Sequence, residues 1–351
     1  MSKSNKTVTR LVVFTDGEPD DYFAILLLMS LYRRGAAIFD SIKFVVSCWS
    51  DPQAKARLLK GVLANHGHKP EVYYGNTTNN FQDMTELSNL MSSSPVSKYT
   101  AELVYEADTI LLLAPPVDLL EMYRADTNIF RGKQCAMYGS FNVRSLLDGC
   151  ATAADVSGVG GVGNTVTNTT NTTDISSTAT EMLSMFRSFD KVVWYETFFA
   201  TGTVSSFTDA KTLTAMAVAY PEFPQLVNWW NKRIRATHEK VRQEVTDEIV
   251  AGGDVEIRVL LLQQKLRSDK LCSDIDNNPQ QFVNADCGLV AFIFCGSSWL
   301  TADPCDIELG SITKITPNPQ SNIFVVRHHG HDAEVRAEQI QQYRTVLGLS
   351  P

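Results

Sequence analysis

The chain has 351 residues, 44% of them hydrophobic and 20% charged, which is the composition of an ordinary globular protein with room for one large α/β domain or two smaller ones. A formal net charge of −8 without any basic block argues against a protein that grips a nucleic-acid backbone, and no apolar run is long enough to cross a bilayer. Seven scattered cysteines without a Cys-x-x-Cys pair, and a polar start at Met1–Lys6 without the apolar core of a signal peptide, predict reduced, mostly buried thiols and a cytoplasmic location.

Leu11-Val12-Val13-Phe14-Thr15 reads as a first strand. It runs into a tight turn, Asp16-Gly17-Glu18-Pro19-Asp20-Asp21, and then into a helix over about 20–33. Asp16, Asp20 and Asp21 therefore crowd the carboxyl end of the strand, the edge where open α/β sheets bind ligands. Like charges this close repel each other unless a cation sits between them, and oxygen ligands favour a hard ion such as calcium or magnesium. Asp20 or Asp21 alone would also serve as a helix N-cap, but capping does not account for Asp16. A phosphatase-type Asp-x-Asp nucleophile loop would need an acid where Phe14 stands.

Further strands are predicted at 42–46, 72–74, 109–113, 135–138, 191–195 and 323–327. Helices are predicted from Pro52 to His66, from Val117, over 179–188, over about 207–250 within a helical subregion reaching 270, after Asp286 and after Asp332. This alternation predicts an α/β fold with an open, mostly parallel sheet covered by helices on both faces. Residues 151–178, with their Gly run and Asn/Thr run, read as a flexible loop or, because long loops in compact domains are often functional, as a flap over a site. Trp229 and Trp230 point to different sides of a helix, which suits packing or an oligomer contact. His328-His329-Gly330-His331-Asp332 invites a transition-metal reading, but neighbouring histidines in a strand point to opposite faces and chelate poorly together.

The first turn resembles the motif of the nucleoside hydrolases, the inosine–uridine-preferring N-ribohydrolases, roughly Asp-x-Asp-x-Gly-x-Asp-Asp after strand one. Asp16, Asp20 and Asp21 match the second, third and fourth acids, while Phe14 replaces the first and Glu18 replaces a glycine. Ala114-Pro115-Pro116-Val117-Asp118 resembles the family's Gly-Pro-Leu-Thr-Asn turn, in which a backbone carbonyl, here that of Val117, faces calcium. Met137-Tyr138-Gly139-Ser140-Phe141-Asn142 resembles Met-Gly-Gly-Ala-Phe-Asn. Asp286 matches the Asp of a late His-Asp pair, with Ala285 at the His position. Gly163-Asn164 and Asn171 stand near the spacing of ribose-binding asparagines, with Thr169 about where a Glu belongs; Cys48 stands for an Asn that touches the ribose, and Glu196 for an acid after the sixth predicted strand.

The resemblance implies hydrolysis of the N-glycosidic bond of a ribonucleoside through an oxocarbenium-like transition state, in the salvage of purine or pyrimidine bases. It assigns a calcium ion to Asp16, Asp21, Asp286 and the Val117 carbonyl, the role of general base to Asp16, and ribose binding to Asp20, Asn164 and Asn171. It also implies a small-molecule nucleoside as partner and a homodimer or homotetramer. The substitutions at Cys48, Thr169 and Ala285 support a rival expectation, a catalytically impaired relative with a binding or structural role.

Overall fold

A computed structural model of the chain describes residues 9–35, 39–47, 51–76, 84–114, 116–139, 172–196, 210–251, scattered positions between 262 and 277, 285–308, 314–329 and 332–349. Its centre is a ten-stranded sheet. In chain order the strands are β1 (Arg10–Thr15), β2 (Ser41–Val46), β3 (Glu71–Tyr74), β4 (Ser97–Lys98), β5 (Thr109–Leu113), β6 (Gln134–Gly139), β7 (Lys191–Glu196), β8 (Leu300–Glu308), β9 (Lys314–Pro317) and β10 (Ile323–His328). The helices are α1 (Pro19–Arg33), α2 (Pro52–Asn65), α3 (Ala101–Glu106), α4 (Val117–Ala125), α5 (Thr172–Arg187), α6 (Ala210–Ala219), α7 (Phe223–Ala251), α8 (Ala285–Cys295) and α9 (Asp332–Leu347), with a 3₁₀ turn at Thr85–Leu90.

Across the sheet the order is β4-β3-β2-β1-β5-β6-β7-β10-β8-β9. Every pairing from β4 to β10 is parallel; among the described strands β8 alone runs against the rest, pairing antiparallel with β10 on one side and with β9 on the other. The predicted mostly parallel sheet is therefore the observed one. After β1 the chain winds outward through β2, β3 and β4, then returns to place β5 on the other side of β1. The topological switch point lies between β1 and β5, where the connections diverge and leave a crevice beyond the strand ends. Thr15 is level with Val46 on one side and Leu113 on the other, so the turns after β1, β2 and β5 emerge together.

The period-2 pattern of β1 explains the layers. Leu11 and Val13 enter one core with residues of α1, α2, α6, α7, α8 and α9, while Val12 and Phe14 enter a second core with residues of α3, α4 and α5. Both faces of the central strands are thus covered, and α1 is buried almost throughout.

Several expectations shift. Thr172–Thr178, read as the end of a loop, form the first turns of α5, and the remainder of that loop lies outside the described residues. The helical stretch from 207 is two helices, broken at Tyr220–Glu222 where Pro221 stands. The 3₁₀ turn at Thr85–Leu90, β4 and α3 are not among the predicted elements.

Candidate active site

The turn after β1 is held by its own backbone chemistry. Gly17 sits at φ 71°, in the left-handed region, and a β-carbon there would lie 3.3 Å from Cβ and Cδ of Lys55 and 3.4 Å from Cγ1 of Val46. Only glycine combines that dihedral with that close approach. Glu18 caps α1 in a reciprocal capping box: Asp21 Oδ2 accepts a hydrogen bond from the Glu18 amide at 3.1 Å, and the Glu18 side chain accepts from the Asp21 amide. The Thr15 hydroxyl donates to Asp21 Oδ1 and accepts from the Gly17 amide at 3.2 Å. Asp21 therefore has the structural capping role that its position allows, and it is 1% exposed. Burial first, then the charge of Asp20, pushes its carboxyl up to about 7. Hydrogen bonds from Asp16 and Thr15 oppose that shift.

Asp286 joins this turn from the other end of the chain. Helix α8 packs on α1, and the buried Cys287 thiol lies 3.7 Å from the Asp20 backbone oxygen, within donating reach. One carboxylate oxygen from each of Asp20, Asp21 and Asp286 lies within 4.8 Å of the others, and all three side chains are buried. Burial, followed by the charges of Asp20, Asp286 and Asp21, raises the Cys287 thiol well above its usual range, so it stays protonated and unreactive. Among the described residues this is the cluster of acids, histidines or cysteines with a spacing suited to a metal ion. His329 instead meets the Thr301 hydroxyl.

The other expected residues fall as follows. Asp16, 4% exposed, is hydrogen-bonded to Asp21 beside that triangle. Val117 opens α4 directly beyond β5, across the switch point from Asp16. Asn164, Asn171, Cys48, Thr169 and residues 140–142 lie outside the described residues, and the side chains of Glu196, Ala285 and His328 do too.

Two cations at this turn were not foreseen. Lys55, on α2, is fully buried and its Nζ donates to the Asp16 backbone carbonyl at 2.7 Å. Burial lowers its pKa, while Glu18, Asp16 and Asp21 counter that. Arg233 of α7 bonds Glu18 at 3.4 Å and stacks over Trp230, 4.4 Å from its ring centroid. The sequence did carry a signal for Lys55: it lies in the stripe Lys55, Leu58, Leu59, Val62, otherwise the apolar face of α2. Asp118, next to Val117, is also buried; it accepts from the Asn76 amide at 3.1 Å, and burial raises its pKa.

Fold and site together define an α/β protein with a buried carboxylate cluster at the switch point of its sheet. Comparison with solved structures shows that the fold is that of the nucleoside hydrolases. A plant nucleoside hydrolase, PpNRh1, superposes with a TM-score of 0.54 at 13% identity, covering 98% of this chain and 99% of its own. A purine-preferring ribonucleoside hydrolase from Gardnerella vaginalis gives 0.52 at 12% identity, over 97% and 99%. The type III effector XopQ, solved with adenosine diphosphate ribose, gives 0.53 at 13% identity, over 97% and 95%. Neither a family profile nor a curated relative matches the sequence.

Proposed function

We propose that the chain hydrolyses the N-glycosidic bond of a ribonucleoside, giving ribose and free base, with a calcium ion held by Asp16, Asp21, Asp286 and the Val117 carbonyl. The observation that carries this reading is the meeting of the Asp20, Asp21 and Asp286 carboxylates within 4.8 Å, in a nucleoside hydrolase fold. The donor set suits a hard divalent ion, because every side-chain donor is a carboxylate oxygen and the group is buried. Asp20 belongs to the triangle, so it is in reach of the same ion as well as of a ribose hydroxyl.

When bound, the ion compensates the crowded negative charge and makes a nearby water more acidic. Asp16 then accepts the proton of the attacking water. Asp20 hydrogen-bonds a ribose hydroxyl, fixing the ring and stabilising the positive charge that develops on it. Asn164 and Asn171 are assigned to the ribose as well. With Ala at position 285, protonation of the leaving base lacks the family's His; a general acid is typically worth about 10²–10⁴-fold. Nucleosides with better leaving groups are therefore the favoured substrates.

A homodimer or homotetramer in the cytoplasm completes the reading; for the location, the free thiols at Cys135, Cys272, Cys287, Cys295 and Cys305 suit a reducing compartment. No helix among the described residues is long and apolar enough to cross a membrane. A second reading, a binding protein without catalysis, is favoured by the buried Lys55 cation at the acid turn and by the likeness to the effector solved with adenosine diphosphate ribose. Base release from a panel of purine and pyrimidine ribonucleosides, followed chromatographically with calcium present, separates the two. Release that Asp16→Ala abolishes supports the hydrolase. No release from any nucleoside by a calcium-binding protein supports the second reading.

A further inference from the structure

The acid turn has two cations of the chain itself against it, Lys55 on the Asp16 carbonyl and Arg233 on Glu18. Lys55 reaches it from α2 along a route that Gly17 keeps open, since its Cβ and Cδ occupy the space a side chain at 17 would need. Its ammonium is fully buried and bonded to the Asp16 carbonyl at 2.7 Å. The charges around it are Glu18, Asp16 and Asp21, with Arg233 as a second cation held by Glu18. The α2 backbone is tied to the same region, because the Tyr22 hydroxyl donates to the Lys55 carbonyl at 3.4 Å.

We propose that Lys55 is a resident counter-cation of the carboxylate cluster, positioning the Asp16–Asp21 turn when no divalent ion is bound and setting how tightly one binds. The inference rests on the divalent-ion reading above. An ammonium fixed beside the acids lowers their mutual repulsion, so the turn stays folded without an ion. The same charge repels an incoming divalent cation, so affinity is held down. A lysine that merely filled space would behave differently: its loss would loosen the turn and weaken ion binding. The two roles predict changes of opposite sign in ion affinity.

The test is calorimetric titration of the full chain with calcium chloride and with magnesium chloride, together with thermal melts after chelation. The proteins compared are the parent, Lys55→Met, Lys55→Arg and Asp286→Asn. Lys55→Met keeps most of the side-chain volume and removes the charge. It is expected to tighten calcium binding about five-fold or more, the lower end of what a unit charge exerts on a divalent ion across a protein interior. It is also expected to melt lower than the parent when cation-free and to recover with saturating calcium. Lys55→Arg, which keeps the charge, is expected to bind like the parent. Binding by Lys55→Met but not by the parent supports the same conclusion in its strongest form.

If the parent binds calcium, Asp286→Asn abolishes binding, and Lys55→Met binds equally or more weakly, the role of Lys55 is overturned while the metal site stands. If neither the parent nor Lys55→Met binds a divalent ion, both readings fall. Lys55→Gln repeats the titration should the Met variant not fold. If both variants fold only when calcium is present, a calcium-induced rise in melting temperature larger than the parent's supports the counter-cation role, and an equal or smaller rise overturns it.

Discussion

Asp21 concentrates the chemistry of the site in one side chain. Its carboxylate closes the capping box of α1, accepts from Thr15 and stands in the acid triangle. Its pKa lies at about 7, above the ordinary 3.8, because burial and Asp20 favour the protonated form. A carboxyl raised in the folded state contributes stability that is fully present below the unfolded value and is lost as pH rises through the folded one. Chelated protein is therefore expected to lose stability between about pH 4 and pH 7 relative to Asp21→Asn, by an amount of the order of a few kcal/mol. Denaturant unfolding across that pH range checks it, and parallel curves for parent and variant contradict it. The triple acid of this turn was legible because charge crowding shows in a linear string. Lys55 was not foreseen, because which acids a lysine meets depends on how α2 docks.

At the scale of elements, α1 carries the site, and its stability comes from packing on both sides. Leu27 is fully buried in the core that α1 shares with α2, α7, α8 and α9. Leu27→Ala is expected to destabilise the protein by about 2–5 kcal/mol, through lost burial and the cavity left behind. Chemical unfolding measures this, and a loss below about 1 kcal/mol would mean that α1 is not packed as described. The parallel strands were readable as short apolar runs: β1, β2, β3, β5, β6, β7 and β10 match their predicted spans to within a residue or so at each end. The two-residue β4 was missed, as were β8 and β9. For β8 and β9 the cause is visible in the residues. Their burial is mixed, with Pro304 inside β8 and Pro317 ending β9, and strand-breaking residues are tolerated at such an antiparallel edge. The start of α5 was missed because Thr172–Thr178 is rich in Thr and Ser, whose helix propensity is low and which are common in loops.

For the whole molecule, an ion shared by Asp20, Asp21 and Asp286 would tie the first turn of the chain to its last third. Ligand that binds only the folded state stabilises it by about 2.7 kcal/mol at a hundred times its dissociation constant. The melting temperature of the parent is therefore expected to climb with calcium, and that of Asp286→Asn to stay flat. An Asp286→Asn variant that responds like the parent would remove Asp286 from the site.

The linear string was sufficient for the layered α/β architecture, because burial on both faces of a parallel strand forces an unbroken apolar run and the covering helices show their own period. It was also sufficient for the three acids of the first turn, which are neighbours along the backbone. The family resemblance already pointed Asp286 toward them, but only the tertiary structure brought its carboxylate within 4.8 Å of theirs, put Asp20 in that triangle with Asp16 beside it, and carried the positive charge of Lys55 and Arg233 to the same place. Those relations span long stretches of chain. They follow from how α8, α2 and α7 pack against α1, which no local pattern of residues encodes.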